Sequence, residues 1–212
     1  IVDGVLKIAP AESIVVKIAG NTKTVTYNGA EQSVEGYTVT SNPADATVTL
    51  VGEAAASGTD ANTYPMGLKP SDFTATSPNY KKITIEVTDG YLEIDPITDK
   101  VTVTVTEKSD TVTYDGQEHS VTGYKSMTAD NALYDVKKNV AETSTEAWTA
   151  KGTNAGKYQV GIKSGDFKNT SGNFTNVEFV IEDGELVITR RGENPGSPVT
   201  LRADDNTVMF DG

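Results

Sequence analysis

The residue types that could do chemistry are few, and most of them are written twice. The only histidine, His119, lies in TVTYDGQEHSVTGY (Thr111 to Tyr124), and a second copy, TVTYNGAEQSVEGY (Thr24 to Tyr37), carries Gln32 in its place. A catalytic triad would have to use His119, and no nucleophile-elbow pattern supports one. Paired carboxylates can hydrolyse a glycosidic bond, but the acids repeated between the copies, Asp72 with Asp166 and Asp89 with Asp183, sit in turn-forming contexts. Calcium takes clustered oxygen ligands; the densest cluster is Asp204, Asp205 and Asn206, without EF-hand spacing. Lys69 and Asp72, repeated as Lys163 and Asp166, have the residue types of an isopeptide crosslink, but three positions apart is too local for a useful staple. Aromatic rings stack on sugars, and Trp148, the single tryptophan, stands with Tyr134 in a stretch that only the second copy possesses. An amphipathic ring of this kind serves either to cover a gap in a core or to anchor a ligand. Trp148 and Tyr134 are therefore the candidate ligand contacts. No catalytic, metal or cofactor-binding residue is assigned, and no cofactor is expected.

Composition narrows the partners. The chain has 212 residues, with 30 acidic against 18 basic side chains and a net charge of -12. Nucleic-acid affinity comes largely from Lys and Arg neutralising phosphate, so this balance argues against nucleic acid, and equally against an anionic membrane surface. Cysteine is absent, which removes disulfides and thiolate metal sites. No run of about 18 apolar residues is present, so no membrane insertion by a helix is expected. The chain opens IVDGVLKI without an initiator methionine and reads as a piece of a longer protein.

The duplication extends beyond the opening stretch, in which ten of fourteen positions are identical. Gly58 to Ile94 aligns with Gly152 to Ile188 at fifteen identities in 37 positions, and the second copy has seven extra residues between Tyr124 and Gly152. VDGVLKI (Val2 to Ile8) resembles TDGYLEI (Thr88 to Ile94) and EDGELVI (Glu182 to Ile188), while TVMFDG (Thr207 to Gly212) resembles TVTYDG (Thr111 to Gly116). The expected organisation is the last strand of a preceding repeat in 1–9 and repeat module 1 in 10–96. Repeat module 2 follows in 97–190 with an insertion at about 125–151, and 191–212 hold a linker and the first strand of a following repeat. Such a period is too long for a solenoid and fits domains on a string.

The elements that must position these residues are strands. Val25 and Tyr27 alternate with Thr24 and Thr26, Ile83, Ile85 and Val87 with polar residues, and Leu92 with Ile94 across Glu93. That period-two pattern is the mark of a half-buried strand, and Thr and Val suit it because β-branched side chains fit a pleated face. Asn28-Gly29, Asp115-Gly116, Asp89-Gly90 and Asp183-Gly184 predict tight hairpin turns. About seven short strands per module predict an all-β fold of two tandem Ig-like β-sandwich modules. The alternative is a β-grasp-like module with one short helix, for which Ser71 to Tyr80 and Val140 to Trp148 are the only segments available. Short proline-containing junctions such as IDPITD (Ile94 to Asp99) restrict rotation and predict a semi-rigid rod.

The Tyr27-Asn28-Gly29 and Tyr114-Asp115-Gly116 turns, the GTxAxxY segments at Gly58 to Tyr64 and Gly152 to Tyr158, and the closing Asp-Gly-x-Leu-x-Ile strands carry a family likeness. The chain resembles the MBG-type and YDG-type tandem modules of bacterial, Gram-positive-like adhesin-like surface proteins, over nearly its whole length except about Lys125 to Lys151. The resemblance implies extracellular display at the bacterial cell wall, as non-catalytic stalk or adhesive repeats, and transfers no catalytic residues. Two functions follow as expectations. One is a semi-rigid spacer whose neighbours are other repeats of the same chain. The other is an adhesive module for host glycans, mucin or matrix protein, with its site in the insertion. A Trp148 covered by its own loop favours the spacer, and exposed ordered aromatics around it favour the binder.

Overall fold

The computed structural model describes residues 3–41, 46–144 and 147–192. The chain divides into two compact units, 1–99 together with Gly172–Asn176, and 100–171 together with 177–212. The last predicted strand, the Asp204-Asp205-Asn206 cluster and most of the junction from Arg190 to Pro198 lie outside the described residues. Residues 3–10 form no strand, and Val5, Leu6 and Ile8 of the predicted closing strand are exposed. A strand needs a partner to take its backbone hydrogen bonds, and no described strand pairs with this segment.

Unit 1 runs β1 (Ala11–Gly20), β2 (Thr22–Thr26), β3 (Gln32–Glu35), β4 (Tyr37–Ser41) and β5 (Thr47–Leu50). It continues with β6 (Ala55–Gly58), β7 (Asn62–Pro65), β8 (Phe73–Thr76), β9 (Tyr80–Thr88) and β10 (Tyr91–Asp95). Unit 2 repeats the order as β11 (Val101–Glu107), β12 (Asp110–Thr113), β13 (His119–Thr122) and β14 (Tyr124–Ala129). After a one-turn helix α1 (Val136–Asn139) come β15 (Val140–Glu142), β16 (Thr149–Gly152), β17 (Gly156–Gln159), β18 (Phe167–Asn169), β19 (Val177–Glu182) and β20 (Glu185–Thr189). The fold is all-β and sandwich-like, as the alternation predicts. The β-grasp alternative fails: unit 1 has no described α-helix, and Ser71 to Tyr80 holds a short 3-10 turn leading into β8. Ser, Thr, Pro and Asn there compete with helical backbone hydrogen bonds.

Each unit contains the same four sheets. In unit 1 the sheet orders are β4-β1-β9, β2-β10-β7, β3-β6 and β5-β8; in unit 2 they are β14-β11-β19, β12-β20-β17, β13-β16 and β15-β18. Ten strands stand where seven were expected, because long extended runs break and change sheets. The predicted hairpins are absent for the same reason. β2 and β3 flank Asn28-Gly29 yet pair with β10 and β6, and β9 and β10 flank Asp89-Gly90 yet pair with different neighbours. Asn28 Oδ1 accepts from the Ala30 amide and Asp115 Oδ1 from the Gln117 amide, so these are Asx turns at corners. Gly29 and Gly116 take φ of 77° and 86°, where a side chain is strained.

The first two strands of each unit run parallel to its last two. β1 is in register with β9 from Ala11↔Tyr80 to Ala19↔Thr88, and β2 continues beside β10 from Thr22↔Tyr91 to Thr26↔Asp95. In unit 2, β11 pairs with β19 and β12 with β20 in the same sense. One residue, Asn21, separates β1 from β2, too little chain to reverse direction. Both strands therefore switch sheets together at one corner. Behind β1, Val16 and Ile18 pack with Leu68 and Phe73; behind β10, Leu92 and Ile94 pack with Val34 and Ala56. Full burial of each large aliphatic side chain stabilises by about 1.5–3 kcal/mol. Unit 2 joins the equivalent residues, Val105, Phe167, Leu186 and Ile188 among them, in one cluster.

The corner explains the Asp-Gly pairs. A methyl group on Gly90 would overlap the Asn21 carbonyl oxygen and lie 2.7 Å from the Met66 sulfur, and one on Gly184 would overlap the Lys108 carbonyl. These glycines are needed for close backbone approach; neither has a positive φ. Asp89 accepts from the Gly67 and Leu68 amides at 3.0 and 2.9 Å, tying the loop after β7 to the corner. Unit 2 makes the corresponding tie from a different strand. Glu107, only 4% exposed, accepts from the Ile162 amide at 2.6 Å and the Gly184 amide at 2.7 Å. Glu107 ends β11 where Gly20 ends β1.

The GTxAxxY segments are also structural. The Tyr64 ring covers Gly58 and its hydroxyl donates to the Asp60 carbonyl at 2.9 Å; Tyr158 covers Gly152 and donates to Asn154 at 3.0 Å. Only glycine leaves room for the ring.

Two stability predictions follow from the corner. Gly90→Ala is expected to destabilise unit 1 by about 1–3 kcal/mol through overpacking. Calorimetry is expected to show one transition lowered while the unfolding seen by Trp148 fluorescence, which reports unit 2 alone, stays in place. Glu107→Ala strands two buried amides and is expected to cost unit 2 about 2–4 kcal/mol, read as a shift of the Trp148 transition in urea. Unchanged midpoints would show the corner to be loosely packed.

Candidate functional site

The insertion of unit 2 begins where β14 ends. Asp135 caps α1 by accepting from the Lys137 amide at 3.0 Å, and the chain then enters β15. β15 pairs with β18 as β5 pairs with β8, placing Glu142 opposite Phe167 where unit 1 has Leu50 opposite Phe73. Most of the extra residues are thus spent before β15, on α1 and the turn that precedes it. The segment that the β-grasp alternative would need as a helix, Val140 to Trp148, opens with β15 instead, and none of its described residues is helical.

Tyr134 is buried at 4% exposure. Its hydroxyl donates to Asn169 Oδ1 at 2.9 Å, with the Asn139 carbonyl 3.1 Å away, so it pins α1 to β18. Burial pushes its hydroxyl pKa up.

Trp148 occupies a position that unit 1 also has. The Gly123 amide donates to the Trp148 carbonyl at 2.7 Å just as the Gly36 amide donates to the Ala54 carbonyl at 2.8 Å. Trp148 is therefore the counterpart of Ala54. Its half-buried ring lies 5.5 Å from Phe167 and 6.2 Å from Tyr124, and the indole N–H donates to Asp166 Oδ2 at 3.0 Å. Unit 1 has the smaller alanine here but Met66 where unit 2 has Val160, so volume is redistributed between neighbouring core positions. The edge-on Tyr37–Phe73 pair, with ring centroids 5.1 Å apart, reappears as Tyr124–Phe167.

What remains open is a cleft of about 450 Å³ beside α1, lined by Tyr124, Met127, Val136, Lys137, Val140 and Glu142. The Tyr124 hydroxyl donates to Glu142 Oε1 at 2.9 Å. Burial, and next the hydrogen bond to this carboxylate, raise the Tyr124 pKa. An aromatic face, a carboxylate and an exposed ammonium around an apolar floor can accept a small polyhydroxylated or amphipathic guest. Sequence reasoning missed Tyr124 and Glu142 as neighbours, because Tyr124 reads as a repeated core aromatic and Glu142 as a solvated acid.

The other sequence candidates do structural work. His119 Nε2 lies 2.9 Å from Asp115 Oδ1 across the corner turn, and Gln32 spans the same turn by donating to the Thr26 carbonyl at 3.1 Å. The Gln117 amide, and secondarily His119, hold the Asp115 carboxyl below its usual range. Asp72 and Asp166 accept from the backbone amides of Lys69 and Lys163 at 2.7 and 2.9 Å, so the matched Lys–Asp spacing caps a 3-10 turn. Among the described residues no cluster of three or more potential metal ligands occurs.

Both tyrosines of this region have raised folded-state pKa values. They therefore add stability that is full below the ordinary tyrosine value of about 10 and lost as pH rises through the folded values. Urea midpoints followed by Trp148 fluorescence are expected to fall above about pH 10, less steeply in Tyr134→Phe. A midpoint flat to pH 12 in both proteins would contradict this. No family model matches the chain, and no curated protein matches it in sequence.

Proposed function

We propose that the two units are non-catalytic spacer modules of an extracellular bacterial surface protein, carried as a stalk that holds other parts of that protein away from the cell wall. The observation that supports this most is the path of the chain through each unit. It enters at the start of β1 or β11 and leaves at the end of β10 or β20, with the first two strands of the unit laddered in parallel to the last two. A unit of this kind adds its length to the chain instead of returning it to its starting point. The likeness to MBG-type and YDG-type repeats and the acidic charge of -12, which discourages modules from collapsing on one another, support the same reading. The engagement of Tyr134 and Trp148 in packing and hydrogen bonds is what a spacer needs.

An adhesive reading has one observation in its favour, the cleft between Tyr124 and Glu142. Its partners would be host glycans, mucin or matrix proteins. A screen of the 212-residue protein against mucins, a glycan array and matrix proteins separates the two. The spacer reading predicts no saturable binding at high micromolar concentration. Saturable binding that Trp148→Ala or Glu142→Ala abolishes, with unit 2 still folded, would make unit 2 an adhesive module.

A further inference from the structure

We infer that each unit is a tensile clamp: its terminal strands are joined so that a pull along the chain loads whole ladders in shear. This deepens the spacer reading, since a stalk at a cell surface transmits force. Tension on unit 1 reaches β1 at Ala11 and β10 at Asp95. Ala11 lies beside Tyr80, at the start of both strands, and Asp95 beside Thr26, at the end of both. The run β1–β2 lies parallel to the run β9–β10, so opposed forces at these points slide one run along the other. Eight register pairs between β1 and β9 and five between β2 and β10 then bear load together. The hydrogen bonds of a parallel ladder are evenly spaced, which spreads that load. In an unzipping geometry the same bonds would break one after another.

Side chains on the exposed face of these ladders reinforce the joint. Lys17 and Glu86, partners in register, form an ion pair at 3.5 Å, and Lys81 pairs with Glu12 nearer the loaded end. Thr24 donates to Glu93 across β2 and β10. In unit 2, Thr106 of β11 donates to Glu182 of β19 at 2.7 Å, and Lys100, the residue before β11, pairs with Glu178 of β19 at 2.6 Å. Each exposed pair is weak alone; what they share is that every one spans the two strands that tension would slide. The corner adds resistance of another kind. Gly20 and Gly90 are in backbone contact, so the strands cannot slip there without the Asn21 and Met66 surroundings giving way. In unit 2, Glu107 belongs to β11 and holds the amide of Gly184 between β19 and β20.

The absence of cysteine allows force to be applied at chosen points of the full chain. Pro10→Cys with Asp95→Cys loads unit 1 in shear. Ala30→Cys with Asp95→Cys pulls apart neighbouring ends of β2 and β10, in the unzipping direction. Single-molecule pulling at one speed is expected to give an unfolding force about threefold or more higher in the first geometry, because a block of rungs must yield at once. Matching calorimetric transitions in the two variants establish that both start from the same fold. Equal forces, or a lower force in shear, would overturn the clamp and leave the spacer reading to the binding screen. High shear resistance with saturable glycan binding would keep the clamp and remove the pure spacer.

Discussion

Everything in a unit depends on two strands about seventy residues apart in sequence lying side by side in parallel. β1 and β2 cannot be completed by local neighbours alone; they await β9 and β10, which the chain reaches last. Parallel partners need a crossover, and here the crossover is the remainder of the unit, β3 to β8. Those intervening strands supply the other faces of the core, so closure of the terminal ladders and burial of Val16, Ile18, Leu92 and Ile94 are one event. Pairing of this kind has high contact order and carries the loop-closure cost before the contacts repay it. A unit so built is expected to fold slowly and to have its first and last strands among its most stable parts.

The corner shows how two copies of one design keep a function with different residues. In unit 1 a carboxyl from the β9–β10 side reaches the loop after β7. In unit 2 a carboxyl from the end of β11 reaches the equivalent loop and also the corner amide. The glycine count at the corner changes accordingly. Gly20 and Gly90 meet in unit 1, whereas Glu107 faces Gly184 in unit 2. The requirement is physical and not residue-specific: buried backbone amides where strands change sheets must have an acceptor. Trp148 and Ala54, with Val160 and Met66, show the same freedom in the apolar core.

Much of the fold was legible because its signals are local. Alternation placed Val25, Ile83, Ile85, Val87, Leu92 and Ile94 on inward faces, and the structure buries or half-buries each of them. The turn pairs were legible as breaks but not as geometry. Asn-Gly and Asp-Gly read the same whether the chain reverses into a hairpin or steps from one sheet to another, and only the non-local partner decides. Parallel pairing of the terminal strands was hidden for that reason. The candidate site was less legible still. Trp148 and Tyr134 stand out by their absence from the first repeat, but the gap cannot be positioned from sequence, so Trp148 reads as inserted when it replaces Ala54. Tyr124 and Glu142 are eighteen residues apart and meet only because β15 pairs with β18.

Amide hydrogen exchange, followed residue by residue in the intact protein, ranks the ladders within each unit by the free energy needed to open them, and so shows whether the parallel terminal ladders hold each unit together. The slowest amides of both units are expected in β1 with β9 and β11 with β19, exchanging only through unfolding of the whole unit. Slowest exchange in β3 with β6 or β5 with β8, with the terminal ladders opening earlier, would contradict this.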